Sequence, residues 1–475
     1  MTNDAHHSPK VIDLLGVGIG PFNLSLAALA DKVPGLRAAF LDQRHEFHWH
    51  PGLMISGTTV QVPFLADLVS LVDPTSRWSF LSYLQANDRL FPFYFAERQH
   101  LHRAEYEAYC RWVSRGLPRC WFGSRVESVA WDGEHQRFTV CYVREDATGA
   151  AVSAGCCHAR NVVLGIGTEP HLPEALRPLV ADERVTALHS AEYLAHRPAL
   201  QAKAHVTVVG SGQSGAEIFL DLLRARPTGQ EGLHWISRSA AFAPMEYSKL
   251  GLEHFTPDYT RFFHGLSEPE RDRLLPRQSQ LYKAISVQTI AEIYDELYSR
   301  TLTGHWPAAV LRPATEVRAA TVHDGQIRLC LRHTQQHRHL TLMTDALVLA
   351  TGYVERPAEV LLRNAGLSLR RDRSGRLMVD SQYRLVVDEP IRGSVFVQNA
   401  ERHTHGVGAP DLGLAAWRSA VILNAIAGRN VYRLPARTAF TAFGSAAMCP
   451  AETGEQAVAG PPRPSVTAPG RSNAD

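Results

Sequence analysis

Two short apolar strands in this chain each run straight into a glycine-rich turn and then a helical segment, and this repeated unit restricts the fold more than any other feature. The first unit is residues 11–15 (VIDLL), a turn carrying Gly16, Gly18, Gly20, Pro21 and Asn23, and a Leu/Ala-rich stretch to residue 30. The second is residues 205–209 (HVTVV), a turn carrying Gly210, Gly212, Gln213, Ser214 and Gly215, and an apolar stretch over 218–223. In such a unit the first glycine permits the tight turn and the second lets backbone approach a pyrophosphate. The helix N-terminus then offers unpaired N–H groups and a positive dipole end to the anion. One turn of this kind is a weak signal, because glycines precede helices in many α/β proteins that bind nothing there. Context strengthens it here.

Residues 38–42 (AAFLD) read as the next strand, ending in Asp42, placed to accept ribose hydroxyls. The plainer alternative is a strand-end cap. In the second unit the equivalent strand, residues 233–237, ends in Arg238. A cation there suits a ribose 2'-phosphate, with a solvated surface arginine as the alternative. An acidic first site and a basic second site point to FAD and NADPH respectively. Apolar runs at 161–167 and 345–353, the latter ending in Thr351, Gly352 and Tyr353, read as strands passing a flavin, or as ordinary buried parallel strands. The expected fold is α/β, with two Rossmann-like dinucleotide-binding domains, the second inserted in the first, and a small, mostly helical substrate region. The boundaries read as FAD domain 1–195, NADPH domain 196–349 with cleft helices near 244–304, and FAD-domain return 350–433. Beyond that, 434–475 reads as a tail, largely disordered, from its Ala, Gly, Pro, Ser and Thr content.

Composition excludes several other classes. With 475 residues there is room for roughly three domains of about 150. Lys plus Arg number 49 against 47 for Asp plus Glu, so no basic field draws nucleic acid or an anionic membrane. No apolar run approaches the roughly 18 residues that span a bilayer, and residues 1–10 lack a secretory apolar core. A cytoplasmic location is expected. The seven cysteines show no C-x-x-C spacing and are expected to be reduced and mostly buried, with neither a disulfide frame nor a zinc site. Among the 23 histidines, His48 with His50 and His403 with His405 lack acidic or Cys partners that would complete a ligand set, so no metal is assigned.

Six ordered motifs carry a resemblance over residues 11 to about 430. They are GVGIGPFNL at 16–24, FHWH at 47–50, QVPFL at 61–65, GSGQSGAE at 210–217, ATGY at 350–353 and NAERHTHG at 399–406. Together they resemble the N-hydroxylating flavin monooxygenases of siderophore biosynthesis, the lysine and ornithine N-monooxygenases. The resemblance implies FAD, NADPH and O2, and hydroxylation of a primary amine by a C4a-hydroperoxyflavin. It implies that Gln61 lies against the flavin near the oxygen site and that Trp49 and His50 shape the flavin pocket. Arg238 would meet the NADP phosphate, and Thr351, Gly352, Tyr353, His405 and Gly406 would join the cofactor-binding set. The cofactor carries the chemistry, so Gln61, the one residue given a catalytic role, is a positioning group. Read without the resemblance, Gln61 is as well explained as a buried amide satisfying backbone.

The departures bear on substrate. Amino-acid hydroxylases of this family read F-x-K-D-L after the glutamine, the lysine holding the substrate carboxylate; here Ala66 replaces it. The family's Asn-Glu-x-Phe-x-Pro appears with Leu252 in place of the asparagine. A buried carboxylate without a cation costs several kcal/mol, so an aliphatic diamine is the expected substrate, putrescine before cadaverine. The whole chain resembles the putrescine N-hydroxylases of alcaligin-type siderophore pathways. Glu246, with Tyr247 and Glu253 nearby, is a candidate for the distal ammonium, though a surface or capping role suits each of the three as well. The alternatives are an ornithine or lysine hydroxylase anchored by another cation such as Lys249, and a non-catalytic FAD/NADP-binding redox sensor. A two-dinucleotide disulfide reductase is disfavoured, because it needs a redox cysteine pair beside the flavin and none is placed for it in this sequence. A homo-oligomer is compatible with the sequence, which leaves oligomeric state open.

Overall fold

The computed structural model describes residues 11–302 and 304–444. A first sheet runs in the order Cys120–Trp121, Ala38–Leu41, Ile12–Val17, Ala151–Leu164, Arg137–Glu145, Ser124–Asp132, and Ser394–Val397 lies parallel on Ala151–Leu164. Ile12–Val17 has parallel neighbours on both sides. Most of it is buried, as expected of an unbroken apolar run in a parallel sheet.

Helix Pro21–Ala30 starts with proline at its first turn, where no N–H is needed, and continues in good helix formers. It is buried from Phe22 to Ala30 because helix Ala415–Ala427 covers the side away from the sheet. Its polar members are satisfied. The Asn23 amide donates to Val17 O (3.1 Å) and Gly18 O (2.8 Å) and accepts from Gln398 Nε2 (2.8 Å). The Ser25 hydroxyl donates to Leu68 O (2.6 Å).

The second sheet is wholly parallel, in the order Thr186–His189, Ala346–Leu349, Val206–Val209, Leu233–Ile236, Ala309–Arg312. A three-stranded antiparallel sheet, Thr315–His323, Gln326–His333 and Arg338–Thr344, precedes its return strand. The chain passes between the two sheets twice, and the two passages, Thr168–Pro170 and Tyr353–Glu355, pair antiparallel. This is an α/β architecture of two Rossmann-like units, the second inserted in the first. Helices Pro257–Gly265, Glu268–Leu274 and Val287–Thr301 occupy the stretch reserved for a cleft.

Two expectations are corrected. Strand Thr186–His189 belongs to the second sheet, so the inserted unit begins close to the Thr168–Pro170 passage and not at 196. Its four residues follow no glycine turn, which left them unreadable as the sheet's first strand. The second correction concerns the cysteines: Cys141 and Cys156 form a disulfide. They stand directly opposite on adjacent antiparallel strands, a register that linear spacing does not reveal. Only Cys110 of the remaining described cysteines is fully buried.

Residues 438–441 are held by carboxylates. Asp258 accepts the N–H groups of Thr438 and Ala439, and Glu253 those of Phe440 and Thr441. Residues 445–475, on which most of the expected disordered tail falls, lie outside the described residues. No helix among the described residues is long and apolar enough to cross a membrane.

One buried ion pair ties the two units together. Arg103, opening helix Arg103–Gly116, donates to both oxygens of Glu217 in helix Gln213–Arg224, at 2.7 and 2.8 Å. Arg103→Met leaves Glu217 buried without its cation and is expected to cost about 3–5 kcal/mol, whereas Arg103→Met combined with Glu217→Leu costs much less. Urea denaturation of both variants checks this, and equal losses contradict it.

Candidate active site

The first glycine turn is built by close approach. Gly18 has φ +85°, and a Cβ there would stand 2.4 Å from Gly165 O. At Gly20, by contrast, a Cβ meets nothing within 4 Å, so open space lies at the N-terminus of Pro21–Ala30. No acidic residue in the helix's first turn offsets its dipole. The second turn repeats this: a Cβ on Gly210 would be 2.1 Å from Ala350 O and one on Gly215 2.4 Å from Gly210 O, yet Gly212 faces open space. Helix Gln213–Arg224 likewise has no acidic residue in its first turn. Both cradles fit a pyrophosphate.

Several side chains singled out in the turns hold the frame. Asp42 accepts the Ile19 N–H (2.7 Å) and pairs with Arg44 (2.7 Å), a residue the sequence reading missed. Arg44 in turn donates to His48 O (2.5 Å). Gln213 donates to Glu217 (2.8 Å) and Thr289 (2.9 Å) and accepts the Ser286 N–H (2.7 Å), so its amide locks helix Val287–Thr301 against its own helix. Ser214 follows at the helix start, where its side chain makes no hydrogen bond among the described residues. Arg238 is exposed just beyond strand Leu233–Ile236. Burial, together with the charges of Arg402 and Arg238, pushes the Lys283 ammonium down against the opposing charge of Glu355, which pairs with Arg402 at 3.0 Å, so three cations and one carboxylate cluster here. Such a cluster fits a 2'-phosphate.

Between the turns runs a chain of aromatic rings. Trp49 meets Tyr106 at 5.0 Å and His50 at 5.3 Å, His50 meets Tyr353 at 5.3 Å, and Tyr353 meets His189 at 5.3 Å. His50 adopts a left-handed backbone (φ +50°). Its side chain is exposed, and desolvation with the charges of Arg103 and Arg44 holds the imidazole below its usual range. Gly352 O accepts the His171 N–H (2.9 Å) and lies 3.0 Å from His189 Nε2, while the Thr351 hydroxyl donates to His171 O (2.5 Å). These bonds pin the passage between the sheets.

Gln61 sits on strand Thr59–Pro63, and its Oε1 accepts the Tyr247 hydroxyl at 2.8 Å. Among the described residues its Nε2 has no acceptor. Burial first, then the charge of Asp411, pushes Tyr247 up to about 12, so the phenol keeps its proton and fixes which way the amide points. Ala66 is buried, at 7% exposure. The neighbouring Asp67 is structural, accepting the N–H groups of Val69, Ser70 and Phe80. Leu252 is exposed, and so is Glu246, whose carboxylate caps the Ser248 N–H (2.7 Å). His405 is buried, stacked on Tyr383 at 4.2 Å, with Nε2 unpartnered, and Gly406 follows at φ +81°. Among the described residues no group of three or more His, Cys, Asp or Glu is arranged to hold a metal ion.

Asp411 was missed altogether, since it lies in no motif. It keeps partial contact with solvent while burial pushes its carboxyl up to about 6. The charged and titratable neighbours are Arg418 on Ala415–Ala427, which lowers it, and Tyr106 and Tyr247, which feel its charge.

Two outcomes follow. Gly18→Ala should destabilise the fold, whereas Gly20→Ala should fold normally and retain less FAD, read as flavin absorbance per protein; equal flavin content in wild type and Gly20→Ala contradicts the assignment. For Asp411, a carboxyl raised from 3.8 to about 6 contributes stability that is full below pH 3.8 and lost as pH rises through 6. The stability of Asp411→Asn relative to wild type should therefore improve by about 2 kcal/mol between pH 4 and 7.5, measured by urea unfolding. A pH-independent difference contradicts it.

A family model for L-lysine 6-monooxygenase/L-ornithine 5-monooxygenase matches residues 10–355. The rhizobactin siderophore biosynthesis protein RhbE of Rhizobium meliloti is 43% identical over 443 residues, covering 91% of this chain and 95% of RhbE. A putrescine N-hydroxylase of Shewanella oneidensis is 39% identical, covering 91% of this chain and 84% of the relative. The FAD-bound structure of DfoA, the cadaverine monooxygenase of Erwinia amylovora, matches with a TM-score of 0.85 at 38% identity, covering 91% of this chain and 98% of DfoA. The chain belongs to the L-lysine 6-monooxygenase/L-ornithine 5-monooxygenase family, FAD- and NADPH-dependent monooxygenases that N-hydroxylate amines for siderophore biosynthesis.

Proposed function

We propose that this protein N-hydroxylates an aliphatic diamine, putrescine first and cadaverine second, converting amine, O2, NADPH and a proton to hydroxylamine, water and NADP+. The observation that carries this reading is the buried alanine at position 66, where the amino-acid hydroxylases of the family hold the substrate carboxylate with a lysine. Lys249, the alternative anchor, stands on an exposed loop. A carboxylate taken into such a pocket without a cation costs several kcal/mol, and a diamine has none to bury. The relatives named for putrescine and cadaverine support the same choice.

Bound FAD supplies the activation of O2, with electrons from NADPH. The chain's own residues do the rest. Gln61, oriented by Tyr247, has an Nε2 donor, without an acceptor among the described residues, to offer at the reacting end. An alkyl ammonium, with an ordinary pKa of about 10.4, must shed its proton to react, and removal from water in a closed cleft favours the neutral amine. Arg238, with Lys283 beside it, suits the 2'-phosphate of NADPH. A cytoplasmic location goes with this reading, since NADPH is the reductant.

Hydroxylamine formation and NADPH oxidation, measured side by side with putrescine, cadaverine, ornithine and lysine, test it. The expected result is coupled product from the diamines with kcat/KM at least about tenfold above either amino acid, the effect of about 1.4 kcal/mol. Preference for ornithine or lysine contradicts it, and NADPH oxidation unresponsive to any amine favours a redox sensor.

A further inference from the structure

We infer that Asp411 is the counter-ion for the far ammonium of the diamine, its carboxylate facing the cleft beside Ala66. The assignment rests on the diamine reading above and names the group that sets it. Asp411 begins the short turn Leu412–Leu414, and its Oδ1 accepts the Gly413 N–H at 2.7 Å. A carbon built on Gly413 would stand 2.8 Å from that oxygen and 3.8 Å from the Ala66 Cβ, so the carboxylate and the methyl of position 66 flank the same point. The charge of Asp411 also reaches Tyr247, whose hydroxyl holds Gln61. Asp411 and Ala66 thus stand on either side of Gly413, within reach of the charge felt at Tyr247.

What the carboxylate lacks is as informative. Among the described residues it receives backbone N–H groups but no side-chain donor. Arg418, whose charge acts on it, makes no hydrogen bond to it among the described residues: Nη2 donates to Gly408 O (3.2 Å) and Ala409 O (2.7 Å), and Nη1 stands 3.1 Å from the Glu401 carboxylate. Arg418 and Glu401 are almost wholly buried, and Arg418 holds the loop leading to Asp411 through the carbonyls of Gly408 and Ala409. A helix cap needs only an acceptor, which Asn or Ser supplies as well. An ionised carboxylate held in such surroundings is stabilised by an arriving cation. Relative to an amino-acid hydroxylase the polarity of the subsite is reversed: position 66 carries no cation, and its neighbour carries an anion that attracts an ammonium and repels a carboxylate.

Asp411→Asn keeps the capping oxygen and removes the charge. Steady-state hydroxylation of putrescine by the FAD-loaded variant is expected to show a KM raised about 10- to 100-fold, the effect of losing one hydrogen bond to a charged group, with a smaller change in kcat. Asp411→Glu should recover part of the loss. Asp411→Ser, which also caps the turn, should behave as Asn does, and flavin content reports folding in every variant. An unchanged KM in Asp411→Asn, with wild type active on putrescine, overturns this assignment alone. Wild type inactive on both diamines but active on ornithine or lysine overturns the diamine reading and the assignment with it.

Discussion

The buried pair between Arg103 and Glu217 is the interaction on which the rest of the site depends. Each glycine turn is complete within its own sheet, but chemistry between two nucleotides requires the turns to face each other at a set distance. Arg103 belongs to the first unit and Glu217 to the helix that opens the second cradle, and both are largely removed from water. Desolvation pushes the Glu217 carboxyl up, and the charge of Arg103 with the bonds from Gln213 and Arg103 offsets that only in part. Gln213 bonds the same carboxylate and also reaches helix Val287–Thr301, extending the brace into the cleft helices. The paired passages Thr168–Pro170 and Tyr353–Glu355 restrict the second contact between the units.

Around that brace the polar groups fall into two sets. Asn23, Asp42, Gln213 and Asp67 spend their hydrogen bonds on backbone and neighbouring side chains, holding turns and loops in shape. The backbone at Gly20 and Gly212, the Gln61 Nε2, the Arg238 guanidinium and the Asp411 carboxylate remain available. The first set makes the site rigid, and the second is what a ligand meets. Preorganisation of this kind is required where the cofactor performs the chemistry and protein geometry decides which nitrogen reaches it.

The legible parts of the site were those with a local signature. A position at φ +85° or +129° beside a carbonyl tolerates only glycine, so both cradles could be read from residue type and spacing. Strand Ile12–Val17 was readable because burial on two faces leaves no polar alternation. The rest depends on contacts between distant residues. Tyr247 and Gln61 are bonded across a sequence separation of 186, and Asp411 meets Ala66 only through Gly413. Thr186–His189 is four residues without a turn signature, and Cys141 faces Cys156 through hairpin register. Glu246 was chosen for its charge in a candidate cleft segment, but a local bond to Ser248 turns it to the surface. Charge type alone does not tell which way a side chain points.

The most direct measurement of the central claim is a crystal structure of the protein with FAD, NADP+ and putrescine bound. The account predicts one nitrogen within hydrogen-bond distance of the Asp411 carboxylate and the other directed to the Gln61 side of the flavin. A diamine bound away from Asp411, or an ornithine complex with its carboxylate clasped by protein donors at Ala66, would contradict it.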